Sequence, residues 1–204
     1  MTRTFELLVI SIFAINALPA AAAADCKLKG RELLQDADFA MEASDRRSKH
    51  WTGVQHAGEH SYTASFADGV LNIDKIGTQP WYVFRQRFRN GEHAGKKLMF
   101  SAEIKLDLDV PEGAQESDVG GGLYLQAQSR GGERITALYP HEPKLGETEW
   151  IPVHLVVRLP RTLSTLDVGF THRADGRLFA RKVSLREVKE SSSRPCRITP
   201  GLES

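Results

Sequence analysis

The sequence predicts an all-β protein folded as an antiparallel β-sandwich. Apolar and polar residues alternate with a period of two, and no window of about twelve residues has the apolar spacing of an amphipathic helix. The clearest segment is 98–108, where every second residue from Leu98 to Leu108 is apolar. Such alternation is typical of strands with one face in the core and the other in water, as in a sandwich of antiparallel sheets.

Three further segments repeat this pattern and are separated by turn residues. Their inward-facing residues are Leu123, Leu125 and Ala127; Ile151, Val153, Leu155, Val157 and Leu159; and Leu166, Val168 and Phe170. Gly and Pro, which interrupt strands and favour turns, lie between the segments, for example at Pro111, Gly131-Gly132 and Pro160. The order of strands and turns predicts one sandwich domain within residues 25–190.

Composition and charge limit the classes of ligand. The chain has 204 residues, 41% of them hydrophobic, and a net charge of +1. A globular domain with balanced charge has no overall field that would draw it to nucleic acid or to an anionic membrane. We therefore expect no nucleic-acid partner, and a ligand that is recognised by local contacts.

The first 24 residues have the pattern of a secretory signal peptide. Arg3 precedes an apolar stretch at 7–15, and the small residues 20–24 form a cleavage region. The apolar stretch is shorter than the about 20 residues of a membrane-spanning helix. The sequence thus predicts a secreted or periplasmic protein, with no membrane insertion after cleavage.

The two cysteines, Cys26 and Cys196, lie near the two ends of the predicted mature chain. In an oxidising compartment such a pair favours a disulfide over two free thiols. We expect a Cys26–Cys196 bridge that holds the irregular tail 191–204 and brings the ends of the domain together. Two separate thiols remain the alternative.

Two strands present polar and aromatic side chains away from the core. If Leu123, Leu125 and Ala127 face inward, alternation places a first set of side chains outward. If Tyr82, Phe84 and Phe88 face inward on another strand, alternation places a second set outward. The outward residues are Tyr124, Gln126 and Gln128 from one strand, and Trp81, Arg85 and Arg87 from the other. Aromatic rings cover the apolar face of a sugar, while amides and guanidinium groups bond its hydroxyls. The six residues are the predicted ligand-binding groove, although exposed strands also carry such residues without binding anything.

The order of motifs resembles bacterial carbohydrate-binding modules of the galactose-binding-like jelly-roll superfamily. The resemblance spans about 155 residues and is carried by an opening Glu32-Leu33-Leu34-Gln35-Asp36-Ala37-Asp38-Phe39, by Trp51, by Gly69-Val70-Leu71-Asn72-Ile73, by Gln79-Pro80-Trp81 with Gln86, by the strand 98–105, by Glu149-Trp150, by Leu159-Pro160 and by a closing Val183-Ser184-Leu185. It implies a jelly-roll sandwich and binding of a poly- or oligosaccharide.

The same resemblance implies a structural calcium ion, but two positions depart from its pattern. Ala40 stands where these modules have a Glu, and Arg181-Lys182 stand where they have Asp residues. Calcium requires six to eight oxygen ligands, so we expect this site to be lost and no metal or other cofactor to be bound. A remodelled site at Asp36 and Asp38 is the alternative.

The sequence favours other functions less. No G-x-S-x-G motif or additional cysteine indicates a catalytic nucleophile; a polysaccharide lyase or hydrolase is therefore less favoured than a binding module. A structural or protein-interaction module of the cell envelope, with an envelope protein as partner, is the main alternative. We expect Trp51 and Trp150 to pack under loops, and His56-Ala57-Gly58-Glu59-His60 to be a surface loop rather than a zinc helix.

Overall fold

The computed structural model describes residues 26–41, 48–139 and 144–189, with the backbone alone over 135–139. Within these ranges the chain forms twelve strands and one short 3-10 turn, Glu116–Asp118. The strands are β1 Leu28–Lys29, β2 Thr52–Gln55, β3 Tyr62–Ala67, β4 Val70–Lys75, β5 Tyr82–Phe88, β6 Lys97–Asp109, β7 Gly121–Ser129, β8 Arg134–Tyr139, β9 Gly146–Glu147, β10 Ile151–Arg158, β11 Leu163–His172 and β12 Asp175–Val188.

The strands form two antiparallel sheets, which confirms the predicted jelly-roll sandwich. The front sheet has the order β2-β5-β11-β7-β8. The back sheet has the order β10-β6-β12-β4-β3, with β1 paired to β12 and β9 paired to β6. Strands distant in the chain are neighbours in both sheets, as in β11 between β5 and β7, so the order of the strands brings separate segments of sequence onto one surface.

The predicted alternation corresponds to the observed burial. In β6 every even-numbered residue from Leu98 to Leu108 is buried, while the odd-numbered residues from Met99 to Asp107 are half-buried. Lys97, at the start of the strand, is buried too. In β5 and β7, Tyr82, Phe84, Leu123 and Leu125 also face the core, but Tyr124 on the opposite face of β7 is buried as well. Phe88, also predicted inward, is half-buried and packs against the core.

Aromatic rings occupy the centre of the core between the two sheets. Trp51 stacks on Phe84 with ring centroids 5.8 Å apart, and Tyr62 of the back sheet stacks on Tyr82 of the front sheet at 5.1 Å. Trp51 is fully buried and its indole N–H donates to the carbonyl of Asp36 at 3.1 Å. Burial of each such ring contributes about 1.5–3 kcal/mol to stability, so Trp51 belongs to the core rather than to a binding surface.

The N-terminal segment is attached to the end of β12. Leu28 pairs with Val188, and the Lys189 N–H donates to the Lys27 carbonyl at 2.7 Å. The carboxylate of Glu32 accepts from the Leu185 N–H at 2.7 Å and from the Ser184 hydroxyl at 2.6 Å. These bonds hold the two ends of the described chain beside each other.

Several predictions concern residues outside the described ranges. The signal peptide, 1–24, and the tail with Cys196 both lie there, so export and the Cys26–Cys196 bridge stay predictions. Cys26 itself packs beside Val156 and Val188 on the outer side of the back sheet. Among the described residues no helix is long and apolar enough to span a membrane.

Candidate functional site

The structure brings the two predicted outward sets onto one surface. We call it the front face: the side of the front sheet turned away from the core. In β11, Asp167 pairs with Arg87 on one side and with Gln126 on the other, and Gly169 pairs with Arg85 and Tyr124. Gln128 lies two residues beyond Gln126 in β7, opposite Thr165 and Arg134. The ligand-binding role of these residues stays a prediction.

Asp167 connects the two arginines and was not predicted from the sequence. Arg87 donates from Nε to Oδ1 and from Nη2 to Oδ2, both at 2.7 Å, while Arg85 Nη1 also donates to Oδ2. Asp167 is 2% exposed, whereas the side chains of Arg85 and Arg87 are 19% and 37% exposed. Hydrogen bonding to the Asp167 carboxylate raises the pKa of Arg87 above its usual value. The buried carboxylate thus holds two guanidinium groups at the surface.

Tyr124 lies on the front face but is only 8% exposed. Burial, with a smaller effect of the Asp167 charge, raises the pKa of its hydroxyl above the usual value. A ring with so little accessible surface cannot serve as an open platform for a sugar. Of the predicted aromatic pair, therefore, only Trp81 offers accessible ring surface.

Trp81 directly precedes β5 and is half-buried. The imidazole of His56 meets its ring edge to face, with centroids 6.3 Å apart. His56 Nδ1 in turn lies 3.1 Å from Oε1 of Gln79. An accessible indole beside an imidazole and an amide combines an apolar surface with hydrogen-bonding groups, which is the chemistry that sugar recognition requires.

A polar depression lies at the other end of β5, beside Arg87. Its volume is about 350 Å³, and it is lined by Gln35, Lys49, His50, Gln86, Arg87, Phe88, Arg89, Asn90 and Glu92. The Gln86 amide faces inward and exchanges two hydrogen bonds with the backbone of Gln35, at 2.8 and 2.9 Å. Gln86 therefore fixes the rim of the depression. Trp81 and Arg87 are six residues apart on one strand, or about 20 Å.

On the outer side of the back sheet, Trp150 lies beside Arg181. Arg181 and Lys182 are the cationic residues at the position of the expected calcium site. The Arg181 guanidinium lies 4.1 Å from the centre of the half-buried Trp150 ring. Glu103 accepts hydrogen bonds from Lys182 at 2.7 Å and from Arg181 at 2.8 Å, and these bonds hold its pKa below the usual value. Two cations paired with one carboxylate do not suit a calcium ion.

Asp36 is the centre of the alternative calcium position. Asp36 Oδ1 accepts from the Met41 N–H at 3.0 Å, and its backbone has a φ of 53°. Over the residues that the structure describes, no group of three or more His, Cys, Asp or Glu side chains could hold a metal ion. That the protein binds no cofactor remains a prediction.

Comparison with known proteins supports the fold. No protein-family model matches the chain. No curated protein is significantly similar in sequence. Among solved structures, a CBM4 module is similar with a TM-score of 0.51 and 13% identity, covering 76% of this chain and 99% of the module. The CBM22-1 xylan-binding domain of Paenibacillus barcinonensis Xyn10C is similar with a TM-score of 0.50 and 11% identity, covering 74% of this chain and 94% of that domain.

A catalytic protein also contains this fold. The enzymatically active domain of tailspike protein 4 from bacteriophage CBA120 is similar with a TM-score of 0.54 and 11% identity. The match covers 76% of this chain but 21% of the tailspike chain. Most of the similar structures are carbohydrate-binding modules, and the predicted resemblance to that class is confirmed at the level of the fold. At these identities the likeness shows the fold alone.

Proposed function

We propose that the protein is an exported, non-catalytic module that binds a poly- or oligosaccharide along the front face, between Trp81 and the depression beside Arg87. The observation that supports this most directly is the buried Asp167 carboxylate beneath Arg85 and Arg87. A guanidinium group has five N–H donors, and Asp167 takes only two from Arg87. Arg87 can therefore still donate to sugar hydroxyls while its position is fixed.

Fixing the arginines in advance favours binding because less side-chain entropy is lost when the ligand arrives. Ordering a long side chain at an interface costs about 0.5–1.5 kcal/mol. At the other end of the face, Trp81 can cover the apolar side of a sugar ring, while His56 and Gln79 lie close enough to bond its hydroxyls. The fold shared with carbohydrate-binding modules supports the same class of ligand.

The test compares two half-buried tryptophans, Trp81 and Trp150, which directly precede strands of opposite sheets. Binding of the mature protein to a panel of plant, bacterial and algal polysaccharides is measured by affinity electrophoresis, and the best ligand is then titrated by calorimetry. We expect Trp81→Ala to weaken binding at least tenfold and Arg87→Gln to weaken it severalfold. Trp150→Ala removes an equally large ring from the back sheet and should leave the affinity unchanged.

Three outcomes would overturn the proposal. If the wild-type protein binds none of the polysaccharides, the proposed function is wrong. Co-purification of an envelope protein would then favour the interaction module. Equal losses in the Trp81 and Trp150 variants would show that the front face is not the site. Release of shortened or unsaturated products from a polysaccharide would identify an enzyme.

A further inference from the structure

The depression beside Arg87 is bounded on one side by a short turn that directly precedes β2. The Ser48 N–H donates to the Trp51 carbonyl at 2.9 Å. The Ser48 hydroxyl oxygen accepts from the backbone N–H groups of His50 at 3.3 Å and Trp51 at 3.1 Å. Trp51 itself is fixed in the core, where its ring is fully buried. The turn therefore holds Lys49 and His50 at the edge of the depression, which both residues line.

The opposite side of the depression follows the end of β5, where Arg89 lines it. Two residues later the Gly91 N–H donates to the Ser164 carbonyl at 3.3 Å. Gly91 has a φ of 66°, and a Cβ there would lie 2.6 Å from the Leu163 carbonyl oxygen. Only glycine allows the backbone to turn so close to the start of β11. The turn that follows Arg89 is thus fixed against the neighbouring strand.

Two cations of the depression have no partner of opposite charge. Over the described residues, Lys49 and Arg89 form no ion pair and no side-chain hydrogen bond, and both are exposed. Arg87 already binds Asp167, so the unpaired charge rests on Lys49 and Arg89 alone. Glu92 is the single carboxylate among the described lining residues and pairs with neither of them. Since one carboxylate balances only one of the two cations, a positive charge remains.

The rest of the lining suits a sugar ring better than a bare ion. Phe88 is half-buried and contributes apolar surface, while His50 and Asn90 add ring nitrogens and an amide. The volume of about 350 Å³ lies within the range of about 300–1,000 Å³ that is usual for small-molecule sites. The depression therefore has room for a sugar residue together with a charged substituent.

We propose that this depression binds an acidic sugar residue, so that the ligand of the front face is an acidic polysaccharide, an inference that rests on the function proposed above. The acidic group is a carboxylate or a sulfate ester, both of which offer the oxygen atoms that lysine and arginine bind. Such charge-assisted hydrogen bonds are about twice as strong as neutral ones. Lys49 would approach the group from the β2 side and Arg89 from the end of β5. Because the net charge of the chain is only +1, the preference is local to this depression.

The test compares acidic polysaccharides with their own neutral forms, which share the backbone and lack the charge. Polygalacturonate and alginate are compared with their methyl esters, and a carrageenan with its desulfated form. The affinity of the mature protein for each polymer is measured by calorimetry. We expect at least one acidic polymer to bind at least tenfold more tightly than its neutral form. This preference should decrease as salt is added, since salt screens exposed charges. The tighter pair shows whether the group is a carboxylate or a sulfate.

Two double variants locate the preference on the protein. Lys49→Gln combined with Arg89→Gln should reduce the ratio of the two affinities at least fivefold, and both residues are exposed, so folding should be retained. Lys27→Gln combined with Lys105→Gln removes the same charge from the back sheet, where Lys27 directly precedes β1 and Lys105 lies in β6. This second variant should change the ratio by less than twofold.

The outcomes separate this inference from the proposed function. Binding of polysaccharides with no preference for any acidic form would overturn the acidic ligand and leave the sugar-binding module intact. Equal reductions of the ratio in the two double variants would show attraction by overall charge, and would overturn the assignment to the depression. If no polysaccharide binds in either form, the proposed function is wrong and the acidic ligand with it.

Discussion

The carboxylate of Asp167 faces the guanidinium group of Arg87 in a two-point arrangement, with both N–O distances at 2.7 Å. Their strands, β11 and β5, are neighbours, and the two residues pair directly. A planar carboxylate opposite a planar guanidinium is the strongest ion-pair geometry available to side chains. Because Asp167 is buried and Arg87 is 37% exposed, the pair anchors a donor group at the surface.

Replacing Asp167 should destabilise the protein. Asp167→Asn keeps the shape but removes the charge that Arg85 and Arg87 share. Loss of one partner from a buried pair costs about 3–5 kcal/mol; partial exposure of the arginines reduces the expected loss here to about 2 kcal/mol. Urea unfolding measures it. Asp109→Asn, at an exposed strand end, should cost less than about 0.5 kcal/mol, and similar losses in both variants would contradict the anchoring role.

His172 should make the fold sensitive to acid. Burial, with a smaller opposing effect of its bond to the Gly176 carbonyl, lowers the pKa of His172 to about 4. The unfolded chain, with a usual histidine pKa, takes up a proton as the pH falls below about 6.5 while the folded protein does not. The stability that is present above pH 6.5 is therefore lost between pH 6.5 and 4, by up to about 3 kcal/mol.

This effect is measured by urea unfolding at pH 7 and pH 5. His172→Gln retains a donor and an acceptor but does not titrate, so the difference in stability between the two pH values should shrink. His93, which is buried and whose pKa is also lowered, chiefly by burial, adds to the wild-type slope. His60→Gln, at an exposed position, should leave the slope unchanged; an unchanged slope in the His172 variant would refute the assignment.

Gly53 should not tolerate a side chain. A Cβ at this position in β2 would lie 1.9 Å from the Tyr82 hydroxyl oxygen and 2.5 Å from Cζ of the same ring. The ring is fully buried between the sheets, so Gly53→Ala should lower the free energy of unfolding by about 1–3 kcal/mol through overpacking. Adding Tyr82→Phe should recover part of that loss because the shortest of these contacts, with the hydroxyl oxygen, disappears.

Thermal unfolding of the two variants and of Gly131→Ala tests this explanation. At Gly131 a Cβ would meet Ser129 Oγ at an ordinary distance of 3.7 Å, so that variant should be close to wild type. If the double variant were no more stable than Gly53→Ala alone, the contact with the Tyr82 hydroxyl would not be the cause.

The Cys26–Cys196 bridge can be tested on the intact protein. Reduction should increase the mass by two hydrogen atoms and lower the free energy of unfolding, by at most about 5 kcal/mol for a loop of this length. The pairing of Leu28 with Val188 already brings residues close to the two cysteines in sequence next to each other. An unchanged mass on reduction would mean that no bridge exists.

The strands could be predicted because the alternation of apolar and polar residues in a strand shows which of its faces is buried. The alternation in 98–108 identifies β6, since inward positions must be apolar to be buried and outward positions need not be. The outward direction of Tyr124, Gln126, Arg85 and Arg87 follows from the same rule. The accessibility of these residues does not, because it depends on what lies beside and above them, and Tyr124 is buried although it points away from the core.

By itself the sequence determined the class of fold, the inward faces of β5, β6, β7, β10 and β11, and the candidate residues of the front face. The tertiary structure decided which strands are neighbours. In the sequence Asp167 is an ordinary polar residue between Leu166 and Val168. It anchors Arg85 and Arg87 because β11, which lies between β5 and β7, is the neighbour of β5 in the sheet. Lys49 and Arg89 likewise meet at one depression although they are distant in the chain. Periodicity is a local property, whereas contacts between strands depend on their order in the sheets.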